Sequence, residues 1–433
     1  METAVGQTFV RSALALALAG AFLPSQAQTG EAERLKALEQ KLEASLRTIE
    51  ALNQRLSQLE QPAAAAAPAG GWGARLDTVE RTVTQLEAAH AAAAQVDTGL
   101  PIHGFADVQA GVRNPAAAQA NQGRRGFGLG VFDLYMAPQI TNQVKALIEL
   151  AFEYGPEGEL GIDLERLQLG YVFSDALTLW AGRFHTPYGY WNTAFHHGAQ
   201  LQTTLARPRF LEFEDGGGIL PAHSVGLWAN GGWRTSAGKL GYDAYVVNGD
   251  AIKHGVLDYQ ASGDGDANVG VGGRLQLAVA GTGWTVGVHG LTQRVAGDNA
   301  ATTASGRVRL GMLGGFATFD NDDWEAMGEF YRFRNRDLGG NTGTHGSTAW
   351  YVQLGRNVGE QFTPYVRLER AALDGADPYF ALQDSGRSYR RAVAGVRFNV
   401  SPKAALKAEY QRTTEDGTAG VPSTLALQYA VRF

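Results

Sequence analysis

The sequence predicts an all-β fold: a sixteen-stranded antiparallel transmembrane β-barrel, preceded by a short α-helical coiled coil. Three observations predict it. Apolar and polar side chains alternate with a period of two from about residue 100 to the C-terminus, long polar segments alternate with short turns, and a heptad pattern runs near the N-terminus. Composition narrows the choice. The chain has 433 residues, 56 glycines and no cysteine, which excludes disulfide scaffolds, thiolate metal sites and cysteine nucleophiles. A net charge of −6 argues against a nucleic-acid binder. After the N-terminus no apolar run is long enough to cross a bilayer as a helix. A mean hydropathy of −0.19 still suits a membrane barrel, because alternating strands average to a polar value.

Residues 1–27 read as an export signal. Arg11 precedes the apolar stretch Ala13 to Leu23, and Ser25 and Ala27 are small residues placed for cleavage after Ala27. Residues 28–61 read as a coiled-coil oligomerisation helix. Leu35, Leu42, Ile49 and Leu56 occupy a positions, and Leu38, Leu52 and Leu59 occupy d positions, with Ser45 the exception. Residues 62–99 form an Ala/Pro/Gly linker and a second short helix, its apolar positions at Leu76, Val79, Val83 and Leu86.

Residues 100–433 carry the barrel. Ala146-Ile148-Leu150-Phe152, Leu167-Leu169-Tyr171-Phe173, Trp350-Val352-Leu354 and Leu425-Leu427-Tyr429-Val431-Phe433 each present one apolar face. Long segments fall near 114–125, 155–161, 185–222, 249–268, 295–306, 335–347, 372–388 and 414–422. Brief turns fall between them at 137–144, 174–176, 231–239, 280–283, 320–323, 357–361 and 400–404, so both ends of the barrel lie on the turn side. Tyr171, Phe173, Trp180, Phe319, Trp324, Trp350, Phe362, Phe398, Tyr429 and Phe433 lie near strand ends, where interface girdles sit.

The wall and one loop carry the candidate site. Residues 100–433 hold 24 Arg and 5 Lys against 19 Asp and 13 Glu, so placement matters more than net charge. Arg166, Arg274, Arg367, Arg397 and Arg432 sit on the polar phase of their strands and are expected to line the pore with Glu149, Glu153 and Glu369. Inward arginines paired with Glu149, Glu153, Glu325, Glu329, Glu369 and Glu409 would instead give an ordinary polar lumen. The segment 185–222 is too long for a plain connection. It is expected to fold into the bore as a constriction, with Arg183, Tyr188, Trp191, His196 and His197 adding bulk and polarity. Arg207 and Arg209 would then oppose Glu212, Glu214 and Asp215 across the path. The histidines lack metal-ligand spacing and no catalytic motif is present, so neither metal, cofactor nor enzymatic activity is predicted.

With the C-terminal run Gln428-Tyr429-Ala430-Val431-Arg432-Phe433 and the heptads Leu35 to Leu59 ahead of sixteen strands, the chain resembles Gram-negative outer-membrane porins. It looks most like the phosphate-selective porin O and P group. That resemblance implies a homotrimeric, passive channel for small anions such as phosphate, seated among outer-membrane lipid and lipopolysaccharide, with the coil in the periplasm. No lysine cluster like that of the phosphate-selective members is present. Two alternatives are a general or cation/neutral-solute porin, and a structural barrel whose coil grips peptidoglycan. No nucleic-acid partner is expected.

Overall fold

The computed structural model describes residues 102–433 other than 114–125, 139, 155–157, 196–197, 264–267, 303, 341 and 419. The predicted export signal, heptad helix and linker lie outside the described residues.

The chain runs through β1 (Ile102–Arg113), β2 (Gly126–Met136), β3 (Val144–Tyr154), β4 (Leu160–Ser174), β5 (Leu177–His185), β6 (His223–Thr235) and β7 (Gly238–Asn248). A small hairpin follows, β8 (Ala251–Lys253) and β9 (Val256–Asp258). Then come β10 (Val269–Val279), β11 (Trp284–Asn299), β12 (Ala304–Asp320), β13 (Trp324–Asp337), β14 (Thr344–Arg356), β15 (Phe362–Ala372), β16 (Tyr389–Ser401), β17 (Ala404–Glu415) and β18 (Ser423–Arg432). Two single-turn helices, α1 (Trp191–Ala194) and α2 (Pro378–Ala381), sit in loops. With β8 and β9 set aside as a loop hairpin, sixteen strands pair antiparallel with their neighbours, and β1 pairs with β18 to close the barrel. Closure leaves no unpaired edge, which a barrel immersed in hydrocarbon requires. Phe433 completes the seam by exchanging backbone hydrogen bonds with Gly104.

The first residues of β1 and the last of β18 both lie at the turn end, as the alternation of loops and turns predicts. Two predicted loops are shorter than expected. The β11–β12 ladder runs out to Asn299↔Ala304 and the β13–β14 ladder to Arg336↔Thr344, so strand structure continues through residues that read as loop.

The outer face is apolar at mid-height: Leu169, Val288, Val352, Leu368 and Leu427 are each more than half exposed. Toward the turn end aromatic rings pair across strands, Trp284 with Phe319 and Phe362 with Phe398. Trp180 departs from the expected girdle. It faces inward and stacks on Trp228, filling the space that Gly170 leaves open on the neighbouring strand.

Between β3 and β4 a bulge alters the inner wall. Glu149 pairs with Arg166 and Leu150 with Leu164, so Glu165 is an extra residue with no partner in the ladder. A bulge re-aims side chains. Glu165 and Arg166, adjacent in sequence, thereby both reach inner-wall partners, Arg183 and Glu149 respectively.

Candidate functional site in the barrel lumen

The loop 186–222 between β5 and β6 folds into the barrel and crosses to the far wall. It opens with Gly189 at φ +58, where a Cβ would collide with the Glu329 carboxylate and the Tyr331 hydroxyl. Glycine is therefore required there on both conformational and steric grounds. Immediately after it, the Glu329 carboxylate accepts four hydrogen bonds. The donors are the backbone N–H groups of Tyr190 (3.0 Å) and Trp191 (2.7 Å) and the hydroxyls of Tyr331 (2.6 Å) and Tyr351 (2.7 Å).

Charged wall residues stitch the rest of the loop down. Glu409 accepts from the Leu205 N–H (2.8 Å), and Glu369 from the Arg209 N–H (2.8 Å). Glu415 accepts two hydrogen bonds from the Arg209 guanidinium (2.9 and 3.0 Å). In the other direction Arg274 donates to the Gly189 carbonyl (2.8 Å), Arg367 to those of Ala206 and Arg207 (2.9 and 3.0 Å), Arg397 to that of Gln202 (2.8 Å) and Lys407 to that of Thr204 (2.9 Å). A buried loop must satisfy its backbone polar groups, and here wall charges satisfy many of them.

Apolar packing completes the anchorage. Tyr188, Trp191, Phe210, Leu211, Ile219 and Leu220 of the loop are buried in one cluster with Leu291, Val308, Leu310, Met312, Tyr331, Phe333 and Tyr351 of β11–β14. Burying each large apolar side chain contributes roughly 1.5–3 kcal/mol. Two further loops close over this sector at the loop end. Tyr379 of α2 donates to the Ile219 carbonyl (2.8 Å), and the Asp384 N–H donates to the Gly255 carbonyl in the β8–β9 hairpin (2.9 Å). The half of the lumen lined by β11–β14 is thus filled with protein. The half lined by β1–β6 is polar: Arg166 keeps partial exposure there, while Asp107, Asp133, Glu149, Glu165 and Arg183 are buried among one another along the wall.

Against this geometry the predicted pore-lining residues divide. Arg166 is partly exposed on the lumen side and pairs with Glu149, which is buried, and Glu153 is partly exposed. Arg397 is partly exposed and Arg432 exposed, both at the turn-end mouth. There they line a cavity of about 570 Å³ with Gln200, Gln361 and Asn399. Arg274, Arg367 and Glu369 also point inward, but the loop covers them. Arg367 is fully buried, with Glu369, Thr204 and the loop carbonyls as partners, so it fixes the loop and meets no solute.

The predicted constriction residues divide similarly. Tyr188 and Trp191 are buried in the apolar cluster rather than bare to the bore. Arg207 and Arg209 do not stand free opposite the loop acids. Arg207 donates to the Leu211 carbonyl (2.8 Å) and the Asn192 side chain (2.9 Å), while Arg209 turns to the far wall and Glu415. Burial lowers the Arg207 pKa. Glu214 accepts from the ring and N–H of His223 (3.0 and 2.9 Å). Burial alone would raise its pKa, but the His223 charge and these hydrogen bonds hold it low. Glu212 and Asp215 keep exposure, and burial pushes the Glu212 carboxyl up to about 7. Arg183 bonds to Tyr259 and faces Glu165. His196 and His197 lie outside the described residues. Among the described residues no cluster of His, Asp and Glu has the geometry to hold a metal ion.

Several anchors gave little sequence signal. Lys407 and Glu415 matter because of what the loop presents to them, and nothing within β17 announces those partners, while Asn192 acts inside the loop, where it accepts from Arg207.

No protein-family model and no curated protein matches the sequence. Solved structures match the barrel. One is the outer-membrane protein OmpT of Vibrio cholerae in a trimer form (11% identity, TM-score 0.51, covering 77% of this chain and 98% of that one). An anion-selective porin from Comamonas acidovorans is similar at 12% identity and TM-score 0.51, covering 77% and 99%. The outer-membrane channel DcaP of Acinetobacter baumannii is similar at 10% identity and TM-score 0.51, covering 77% and 96%. The fold is that of outer-membrane channels. The likeness spans nearly the whole of each of those chains and leaves out about a quarter of this one.

Proposed function

We propose that this protein is an outer-membrane porin of a Gram-negative bacterium, admitting small hydrophilic solutes by passive diffusion. One observation carries the reading. A closed barrel with an apolar outer face holds an inward loop pinned across its bore, so the loop fills one half of the lumen and leaves the other polar. In this orientation the turn end faces the periplasm and the loop end the cell exterior. The trimer form of the similar Vibrio protein supports a homotrimer. Outward aliphatic and aromatic residues reach the loop end of β2–β4, where Phe127, Leu129, Tyr154, Leu160 and Ile162 are exposed. That sector suits contact with neighbouring copies.

A bias toward anions such as phosphate would come from Arg397 and Arg432 at the periplasmic mouth and Arg166 in the polar half. The anion-selective Comamonas porin supports this reading. A second reading, a cation preference, is favoured by Glu153 and Asp215, the acids that keep exposure beside the polar half. Planar-bilayer recordings under a salt gradient separate the two. The anion reading expects a reversal potential of anion sign that moves toward zero in Arg397→Ser/Arg432→Ser, and a cation sign in the unaltered protein overturns it. Absence of any conductance from reconstituted full-length protein overturns the porin reading itself.

A further inference from the structure

At the loop end of the barrel the outer wall carries arginines that no part of the described protein engages. On β12 these are Arg307 and Arg309, and on β13 Arg332, Arg334 and Arg336. β11 adds Arg294, and β15, β16 and β17 add Arg370, Arg390 and Arg412. All nine are exposed, and their strand phase sets them on the outer face. On β13 the same phase carries Trp324 and Phe330 outward, while Tyr331, Phe333 and Asn335 point in.

Register brings like charges together. Arg294 lies directly opposite Arg309, Arg309 opposite Arg336, and Arg370 opposite Arg390. Directly opposed like charges destabilise a sheet. The cross-strand partners of the others are Ala296, Leu313, Thr348, Gly346, Ala392 and Ser423, and no carboxylate is among them. Among the described residues none of the nine arginines makes an ion pair or a side-chain hydrogen bond.

Height explains why the membrane tolerates them. Along β13 the outward series runs Trp324, Ala326, Gly328, Phe330 and then arginine. Along β15 it runs Phe362, Pro364, Val366, Leu368 and then Arg370. The arginines therefore stand above the apolar belt on the loop side, at headgroup level, where an outward arginine costs far less than at mid-depth. The loop end of β3 and β4 shows that this is no general property of the rim. There the outward residues are Phe152, Tyr154, Leu160 and Ile162.

We infer that this arginine band is a binding site for the phosphate groups of a phosphorylated glycolipid in the outer leaflet. A guanidinium pairs bidentately with phosphate, and one phosphate set between Arg309 and Arg336 would relieve the repulsion that register imposes. A glycolipid carrying more than one phosphate matches rows that repeat from β11 to β13 and again from β15 to β17. Its acyl chains would lie along the apolar belt below. The inference rests on the reading of the chain as an outer-membrane barrel and is independent of which solute the pore passes.

The test uses full-length protein in detergent, titrated with bisphosphorylated lipid A and read by native mass spectrometry. The expected result is stoichiometric binding that weakens about tenfold or more in R309S/R334S/R336S. Arg356→Ser, an outward arginine at the turn end, should leave binding unchanged. The triple lysine variant should bind in between, since charge remains while the bidentate geometry is lost. Dephosphorylated lipid A should bind the unaltered protein no better than the bisphosphorylated form binds the triple serine variant. Equal binding by the unaltered protein and the triple serine variant overturns the inference, as does equal binding of the dephosphorylated lipid. Inorganic phosphate or phosphatidylglycerol competing as tightly as lipid A would reduce the band to a general anion surface and also overturn it. Bilayer conductance recorded from the same preparations keeps the two readings apart. Conduction without phosphate-dependent lipid binding sinks only this inference, whereas a chain that stays monomeric in water without detergent sinks the membrane reading beneath it.

Discussion

The loop ends of β3–β4 and of β12–β13 are built from the same alternation with opposite faces. In β3 and β4 the inward residues are charged, Glu149, Glu153 and Arg166, and the outward ones apolar, Phe152, Leu160 and Ile162. In β12 and β13 the inward residues are Val308, Leu310, Met312, Tyr331 and Phe333, and the outward ones are arginines. The difference lies in what fills the lumen beside each pair. Next to β12–β13 the inward loop and the loop carrying α2 replace water with packed side chains, so the inner face must be apolar. Outside, the same residues have risen above the apolar belt, so the outer face can be charged. Alternation fixes that two faces differ, and the surroundings decide which is which.

Substitutions that exchange the two environments break this comparison hardest. Leu310→Arg would place an unpaired charge in a fully buried site. The expected outcome is failure to refold into detergent, a larger effect than any other substitution below. Ile162→Arg, outward at the loop end of β4, should cost the single barrel only about 0–1 kcal/mol, because charge near the interface is tolerated, and its larger effect should fall on the contact between copies. Refolding yields of the two variants side by side check the contrast, with urea unfolding giving the cost of Ile162→Arg, and equal yields would refute it.

Releasing the loop comes next. Glu329→Ala removes the acceptor of four hydrogen bonds, and each buried donor left unpaired costs about 1–3 kcal/mol, so the loop should detach at its first turn. Single-channel conductance should then rise about twofold or more as the filled half of the lumen opens, with lower stability. Trp191→Ala, in the same cluster, is expected to cost about 3–5 kcal/mol in urea unfolding with a smaller gain in conductance.

The polar half should respond oppositely, in permeation rather than stability. Arg166→Ser is expected to shift the reversal potential toward cations. Its cost in unfolding should stay below that of Glu329→Ala, because Arg166 is partly exposed and buried Glu149 keeps His185 within 3.9 Å. The smallest effect is a titration. Glu212 has its carboxyl raised to about 7, first of all by burial. A raised carboxyl favours the protonated folded state, so its stabilising contribution is complete below about 4.5 and is lost as pH climbs through about 7. In the same window the group gains a negative charge. The anion-to-cation permeability ratio should therefore fall modestly between about pH 6 and 8, and Glu212→Gln should flatten that slope.

Much of the barrel was legible in the sequence. Leu167-Leu169-Tyr171-Phe173 and Leu425-Leu427-Tyr429 follow the simple rule of apolar outward, and the loop and turn positions mark which end is which. The stretch Arg307-Val308-Arg309-Leu310 obeys the same period, yet its orientation could not be read, because a loop about a hundred residues upstream decides whether its inner side meets water. Arg367 was legible as inward, but its buried role was not, since the carbonyls it holds belong to Ala206 and Arg207. Glu165 escaped because a bulge removes it from the register that alternation assumes.

The partners of the inward loop also set an order of assembly. Tyr190 meets Glu329 across 139 positions of chain, and Arg209 meets Glu415 across 206. None of these acceptors exists in place until the C-terminal strands have formed, so the loop takes its seat late, when the ring of strands is nearly shut. Contacts so distant along the chain slow folding. A truncation before β10 would therefore leave the N-terminal strands with a loop that has nowhere to dock, and a hydrophobic surface for chaperones to guard.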